Sequence, residues 1–201
     1  MPAGAVAGRT RCRAGAARPV PAGLPRVWAG APYADEVRVV LLAHKRARRT
    51  AAGRATGAVL AGRCGGGGGA ALLLVPVPSA RESGGGRGHD PVRRIALAAS
   101  AELRRVGVGA RVLAVLRQHR AMIDQAGLDA RQRLANVAGA LEVPGVAGRL
   151  LTGVPVVLVD DLVTTGATLA EAARAVRAVG GWVTGAAVVA APRSSFLFNG
   201  K

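Results

Sequence analysis

Apolar residues fall into short continuous runs separated by stretches of helical spacing. Ala71 to Val77 is a short apolar run of strand length, rich in Leu and Val, and Pro76 and Pro78 set its end at a loop. Arg111 to Leu116 predicts a second strand. Val154 to Val159 predicts the strongest strand, because it is fully apolar and bounded by polar residues. Trp182 to Ala190 predicts a last one. Helices are predicted between and before these runs. Tyr33 to Lys45 carries Val37, Val40, Leu41 and His44 on one face, and Ala51 to Arg63 continues as a second helix. Pro91 suits the first turn of a helix reaching about Val106. Leu169, Ala172, Ala173, Val176 and Val179 mark another, which Gly180 and Gly181 stop. Strands alternating with helices predict an α/β fold with a mainly parallel sheet flanked by helices.

Composition divides the chain further. Residues 1 to about 31 are Ala, Gly, Pro and Arg without period or acid, and read as a disordered basic arm. Residues 32–192 hold the predicted elements, and 193–201 read as a tail. Gly65 to Gly69 is a connector that neither helix nor strand would favour. Residues 79–91 form a glycine-rich loop. Residues 117–136 are polar and read as a long loop or a frayed helix.

The net charge of +17 comes from 28 basic and 11 acidic residues. Lys45 and Lys201 are the only lysines. The Arg, Ala and Gly excess looks like the coding bias of a GC-rich genome, so the charge by itself does not establish a polyanion partner. It is uneven, with 12 basic and 2 acidic residues in positions 1–70. Aromatics are confined to Trp28, Tyr33, Trp182, Phe196 and Phe198, which leaves the core to Val, Leu and Ala and argues against a base-stacking surface. Cys12 and Cys64 stand alone, which excludes a zinc ribbon and a disulfide framework. No apolar run approaches the ~18 residues of a membrane span. The apolar run Ala5 to Ala7 is too short for a signal peptide, so a cytoplasmic protein is expected.

The chemistry lies in Val156 to Thr168, VVLVDDLVTTGAT. A buried strand runs into two adjacent carboxylates, Asp160 and Asp161. Past a strand end both can turn into the crevice where open α/β sheets bind ligands. Paired carboxylates there suit ribose hydroxyls or a hydrated Mg²⁺. Thr164, Thr165, Gly166, Ala167 and Thr168 then lead into a helix. Hydroxyls, a glycine and backbone N–H groups at a helix start form a phosphate site. Thr168 with Glu171 also matches a capping box, the plain structural alternative for that threonine.

This stretch resembles the phosphoribosyl pyrophosphate signature of type I phosphoribosyltransferases. The resemblance implies that Asp160 and Asp161 hold the ribose hydroxyls and, through water, Mg²⁺, while Thr164 to Thr168 cradle the 5′-phosphate. Other segments resemble the ComF family: Val75-Pro76-Val77-Pro78 followed by Arg87-Gly88; Gln125, Leu128, Arg133, Asn136 and Gly139; and Tyr33, Arg38 and Lys45. Together they cover about residues 33–191. The sequence departs from that family in two places. His89, Asp90 and Pro91 replace its usual F-N-Q, and its four-cysteine zinc ribbon has no counterpart. Thr164 stands where purine enzymes of the superfamily carry a general-base Asp, which argues against a hypoxanthine- or guanine-type acceptor.

The resemblance implies a small helical hood over residues 33–64 and a flexible loop over 117–136. Ser79, Arg81, Arg87 and His89 would lie in the pyrophosphate loop. Arg117, Arg120, Gln125, Arg133 and Asn136 would lie in the closing loop, with Arg87 and Arg133 as catalytic candidates beside the two aspartates. The plain alternative for each is a solvated loop residue. The expected ligands are phosphoribosyl pyrophosphate and Mg²⁺, with transfer to a nitrogen acceptor. ComF proteins are linked to natural competence. A non-catalytic DNA-uptake factor or a phosphoribosyl pyrophosphate sensor is therefore the competing expectation. Single-stranded DNA, the uptake machinery and a second copy of the chain are the partners that reading admits.

Overall fold

A computed structural model describes residues 20–34, 37, 41, 51–64, 71–78, 90–120 and 129–192. The strands are β1 (Val27–Pro32), β2 (Leu72–Pro76), β3 (Ala110–Val112), β4 (Arg117–Gln118), β5 (Leu141–Glu142), β6 (Pro155–Leu162) and β7 (Trp182–Ala191). The helices are α1 (Ala51–Cys64), α2 (Pro91–Arg105), α3 (Ala130–Val137), α4 (Gly145–Gly148) and α5 (Ala167–Ala178). A 3₁₀ turn, Arg149–Leu151, follows α4. Among the described residues, no helix is long and apolar enough to cross a membrane.

Five strands form one sheet in the order β1-β7-β6-β2-β3, every neighbouring pair parallel. The fold is thus the expected α/β architecture, a mainly parallel sheet flanked by helices. The remaining strands, β4 and β5, pair with each other as a separate antiparallel ribbon.

Both faces of the sheet are covered. Val156 and Leu158 of β6 join Leu169, Ala172, Ala173 and Val176 of α5 in one apolar layer. Val157 and Val159 join Ile95, Ala99 and Leu103 of α2 in the other. This division follows from handedness. Crossovers between parallel strands are right-handed. The β2-α2-β3 and β6-α5-β7 units move in opposite directions along the sheet, so their helices land on opposite faces. On the α2 side, α1 approaches at glycine distance. A Cβ at Gly53 would lie 2.3 Å from the Ala98 Cβ, and one at Gly57 would lie 2.7 Å from that of Glu102.

Several elements differ from the sequence expectation. The basic arm was expected to reach about residue 31, but Val27–Pro32 pairs with β7 as an edge strand. VWAGAP carries no strand period. It is ordered by β7, which offers a free edge and receives Val27 and Ala29 into the core. The strand expected at Arg111 to Leu116 is shorter, ending at Val112. The strand expected at Val154 to Val159 is longer, because β7 continues to pair with Asp160 and Leu162. Trp182 begins β7, an interior strand, and is 61% exposed rather than in the core or at a sheet edge. The polar stretch 117–136 contains β4 and most of α3. Val37 and Leu41 are helical and pack on the α2-side layer, as their spacing predicts. Tyr33 and Ala34, expected in the same helix, lie outside it, and the Tyr33 N–H donates to the Ala191 carbonyl, next to the β1–β7 pairing. Residues 35, 36, 38–40 and 42–45 and the glycine connector lie outside the described residues.

Candidate functional site

The site sits where the sheet changes direction. From β2 the chain passes towards β3, and from β6 towards β7, so the crevice between the carboxyl ends of β2 and β6 is a topological switch point. Pro76 pairs with Val159, and Val77 N–H still donates to the Val159 carbonyl at 2.9 Å. The chain therefore leaves β2 immediately beside Asp160. The loop that follows carries Ser79, Arg81, Arg87 and His89, which lie outside the described residues.

Asp160 and Asp161 are both half-buried and occupy the last turn of β6. They do not lie past the strand end, as the sequence reading had it. Asp160 is paired in register with Val188, and Leu162 after it packs on the α2-side layer. Asp160 Oδ1 accepts the Asp161 N–H at 2.8 Å, which fixes the first carboxylate at the crevice rim.

The turn after β6 is built from short-range contacts. Val163 N–H donates to the Ala190 carbonyl, which carries the sheet pairing one residue beyond the strand. Thr164 is exposed. Thr165 is buried, and its Oγ1 accepts the Ala167 N–H at 3.3 Å. Gly166 has φ +83°, the left-handed region that disfavours any side chain, and the side chain of Leu24 packs over it. The helix then starts at Ala167, and its first-turn N–H groups have no preceding helical carbonyl to bond.

The capping box expected at Thr168 and Glu171 does not form. Gly166, which has no side chain to cap with, occupies the cap position, and Thr168 is already inside the helix. Glu171 is buried and turned elsewhere. It accepts the Leu141 N–H at 3.1 Å and bonds Arg174 through both oxygens at 2.8 Å. Arg174 Nη2 also donates to the Leu141 carbonyl. Burial pushes the Glu171 carboxyl up, but the Arg174 bonds and the Leu141 and Gly139 N–H groups outweigh it. Its pKa therefore lies below the ordinary 4.5.

A pH dependence follows. A depressed carboxylate contributes stability that is present above its ordinary pKa and is lost as pH falls through the lowered value. The stability difference between the native chain and Glu171→Gln should be full near neutral pH and shrink below 4.5. Urea unfolding across pH measures it. A difference that stays constant into acid would contradict the assignment.

The remaining candidates lie on the α5 side. Arg117 and Gln118 form β4, and Arg120 Nη2 donates to the Asn136 and Ala138 carbonyls at 3.0 and 2.8 Å. Arg120 thus ties the ribbon to the end of α3. Asn136 is buried on α3, and Arg133 Nε is buried without a hydrogen-bond partner. Helix α3 packs against α5, which carries the candidate phosphate turn at its start. Lys45, His44, Arg38, Gln125 and Leu128 lie outside the described residues.

Sequence reasoning missed three features. Asp129 and Gln132 form a reciprocal capping box on α3, which their spacing signalled. Asp90 caps α2 by accepting the Arg93 N–H at 2.6 Å, so one residue of the HDP departure has a helix-starting role. Glu171 bridges to residue 141, a partner that local spacing could not signal.

The donor set can be tested against Mg²⁺. The site offers carboxylates and hydroxyls, the hard oxygen donors that Mg²⁺ takes. Among the described residues, no three His, Cys, Asp or Glu side chains cluster. The residues therefore fit an ion held by one or two carboxylates, waters and substrate phosphates, rather than an all-protein cage.

Residues 108–198 match the family model of the phosphoribosyl transferase domain. The matched stretch runs from just before β3 past β7 and includes the β6 carboxylates, the phosphate turn and α5. The match covers a little under half of the chain, and the mainly parallel sheet agrees with that similarity. No curated protein matches the chain.

Proposed function

We propose that the chain binds phosphoribosyl pyrophosphate with Mg²⁺ and transfers the phosphoribosyl group to a nitrogen acceptor, releasing pyrophosphate. The observation that carries this reading is the strand-turn-helix Asp160 to Thr168 at the switch point, inside the matched domain. The ribose hydroxyls would donate to the Asp160 and Asp161 carboxylates. The 5′-phosphate would accept from the first-turn N–H groups of α5 and from the Thr164 and Thr168 hydroxyls. Ser79 and Arg87 would hold the pyrophosphate, since Arg presents paired donors to phosphate. Mg²⁺, when bound, would neutralise charge on the leaving pyrophosphate.

The chain's own part is positioning and electrostatics. Loss of pyrophosphate leaves positive charge at the ribose, which nearby carboxylates stabilise. Arg133 and Asn136 on α3, with Arg117 and Arg120, would help close the site against water, which otherwise competes as acceptor. Thr164 is no general base, so the reading favours an acceptor nitrogen that needs no carboxylate.

The ComF resemblance of segments before residue 108 supports placing the chain in that family. The basic residues of positions 1–70 keep DNA uptake as its context, and the cytoplasm as its compartment. Pyrophosphate release measured over a panel of nitrogen bases and amines tests the transfer step. Release that depends on one acceptor class and on Mg²⁺ is expected. Saturable binding with no release from any acceptor would reduce the protein to a sensor of the same ligand.

A further inference from the structure

We propose that Glu171 is a positioning residue that, with Arg174, locks the β4–β5 ribbon and α3 onto the helix whose N-terminus receives the phosphate. The proposal rests on the ligand reading given above and adds a residue to it.

The placement is specific. Glu171 lies four residues into α5 from Ala167, about one turn from the phosphate cradle. Its carboxylate is buried, accepts the Leu141 N–H at 3.1 Å and lies near the Gly139 N–H. Arg174 returns the contact by donating to the Leu141 carbonyl at 2.8 Å. Both main-chain groups of Leu141 are therefore taken by α5 side chains. Gly139 and Leu141 form the junction between α3 and β5.

That junction governs the part of the chain that bears the closing-loop candidates. The ribbon is not hydrogen-bonded into the main sheet. Within it, His119 N–H donates to the Ala140 carbonyl, and Arg120 holds the Asn136 and Ala138 carbonyls. Ribbon and α3 thus form one hydrogen-bonded piece. Leu141, Val115 and Leu116 attach it to the α5-side layer by non-directional apolar contacts. The Glu171–Arg174 pair adds the directional ones. A simple surface pair would not need a buried carboxylate, since exposed i,i+3 pairs contribute little. Here the buried carboxylate, besides its two bonds to Arg174, also takes the Leu141 N–H, which holds Leu141 in register with α5.

The test compares the full chain with Glu171→Gln, an isosteric change that removes the charge. Hydrogen exchange at Gly139 and Leu141 should accelerate while Val157 and Leu158 in β6 stay protected. Affinity for phosphoribosyl pyrophosphate with Mg²⁺, by calorimetry, should fall about tenfold, because residues outside a ligand's contacts modulate coupling on that scale. The thermal midpoint should fall as well, since the stability that the charged pair contributes is lost, and ligand affinity is the readout that a purely structural pair would leave unchanged. Lowered stability with unchanged ligand affinity would mean a purely structural pair and would overturn the proposal, as would unchanged exchange at the junction. If Glu171→Gln does not fold, Arg174→Lys reads the same two quantities, since lysine keeps the charge but cannot span Glu171 and the Leu141 carbonyl together. If the native chain binds no phosphoribosyl pyrophosphate, the ligand reading fails. The exchange data then decide separately whether the pair holds the ribbon.

Discussion

The double change Asp160→Asn, Asp161→Asn is expected to abolish binding of phosphoribosyl pyrophosphate while leaving the fold intact. Both side chains are half-buried at the end of β6, outside the apolar layers. Asparagine keeps the shape and retains an oxygen to accept the Asp161 backbone N–H, the contact that Asp160 Oδ1 makes now. What it removes is charge. A hydrogen bond to a charged group contributes about 1.5–3 kcal/mol. Two lost together amount to roughly 3–6 kcal/mol, a factor of about a hundred to ten thousand in affinity. Calorimetry measures the affinity, and circular dichroism verifies the fold. Unchanged affinity would remove both carboxylates from the site.

The second large effect is expected at Gly166. Valine there meets two separate penalties. The backbone holds φ +83°, where an L side chain costs about 1–2 kcal/mol and a β-branched one more. A Cβ would also lie 2.9 Å from Leu24 Cδ2 and 3.0 Å from Cδ1. Crowding of this kind costs about 1–3 kcal/mol. Gly166→Val should therefore destabilise the chain by roughly 2–5 kcal/mol in denaturant unfolding and weaken ligand binding by re-aiming the N–H groups of the turn. Leu24→Ala in the same chain should recover the crowding part and leave the backbone part. Full recovery would show that φ does not matter. No loss at all would show that the turn is not held as described.

The parts legible in the sequence were those fixed by local physics. Continuous Val/Leu runs marked β2 and β6, and Pro91 and Gly180 marked where α2 begins and α5 ends. The thirteen residues from Val156 to Thr168 placed the candidate site, because strand, carboxylates, turn and helix are contiguous there. What escaped depended on partners distant in the chain. VWAGAP becomes a strand only because β7 has an unpaired edge. Asp160 and Asp161 sit inside a strand because β7 is long enough to pair with them. Thr168 and Glu171 have the spacing of a cap, but Gly166 takes the cap and Leu141, thirty positions back in sequence, takes the glutamate. Leu24 covers the phosphate turn from a segment that composition assigned to an irregular arm.

That last contact changes how the basic N-terminal third is read. Residues 20–32 are attached to the domain at both ends of α5. Leu24 packs on Gly166, and the Gly23 carbonyl accepts from Arg177 at 2.8 Å. The segment nearest the phosphate turn therefore contributes an apolar side chain rather than charge.

Calorimetric titration of the full chain with phosphoribosyl pyrophosphate, with and without Mg²⁺, tests the central claim most directly. The account predicts saturable binding at one site per chain, strengthened by Mg²⁺ and lost in the Asp160→Asn, Asp161→Asn variant. Absence of binding by the folded native chain, or binding that the double variant retains, would contradict it.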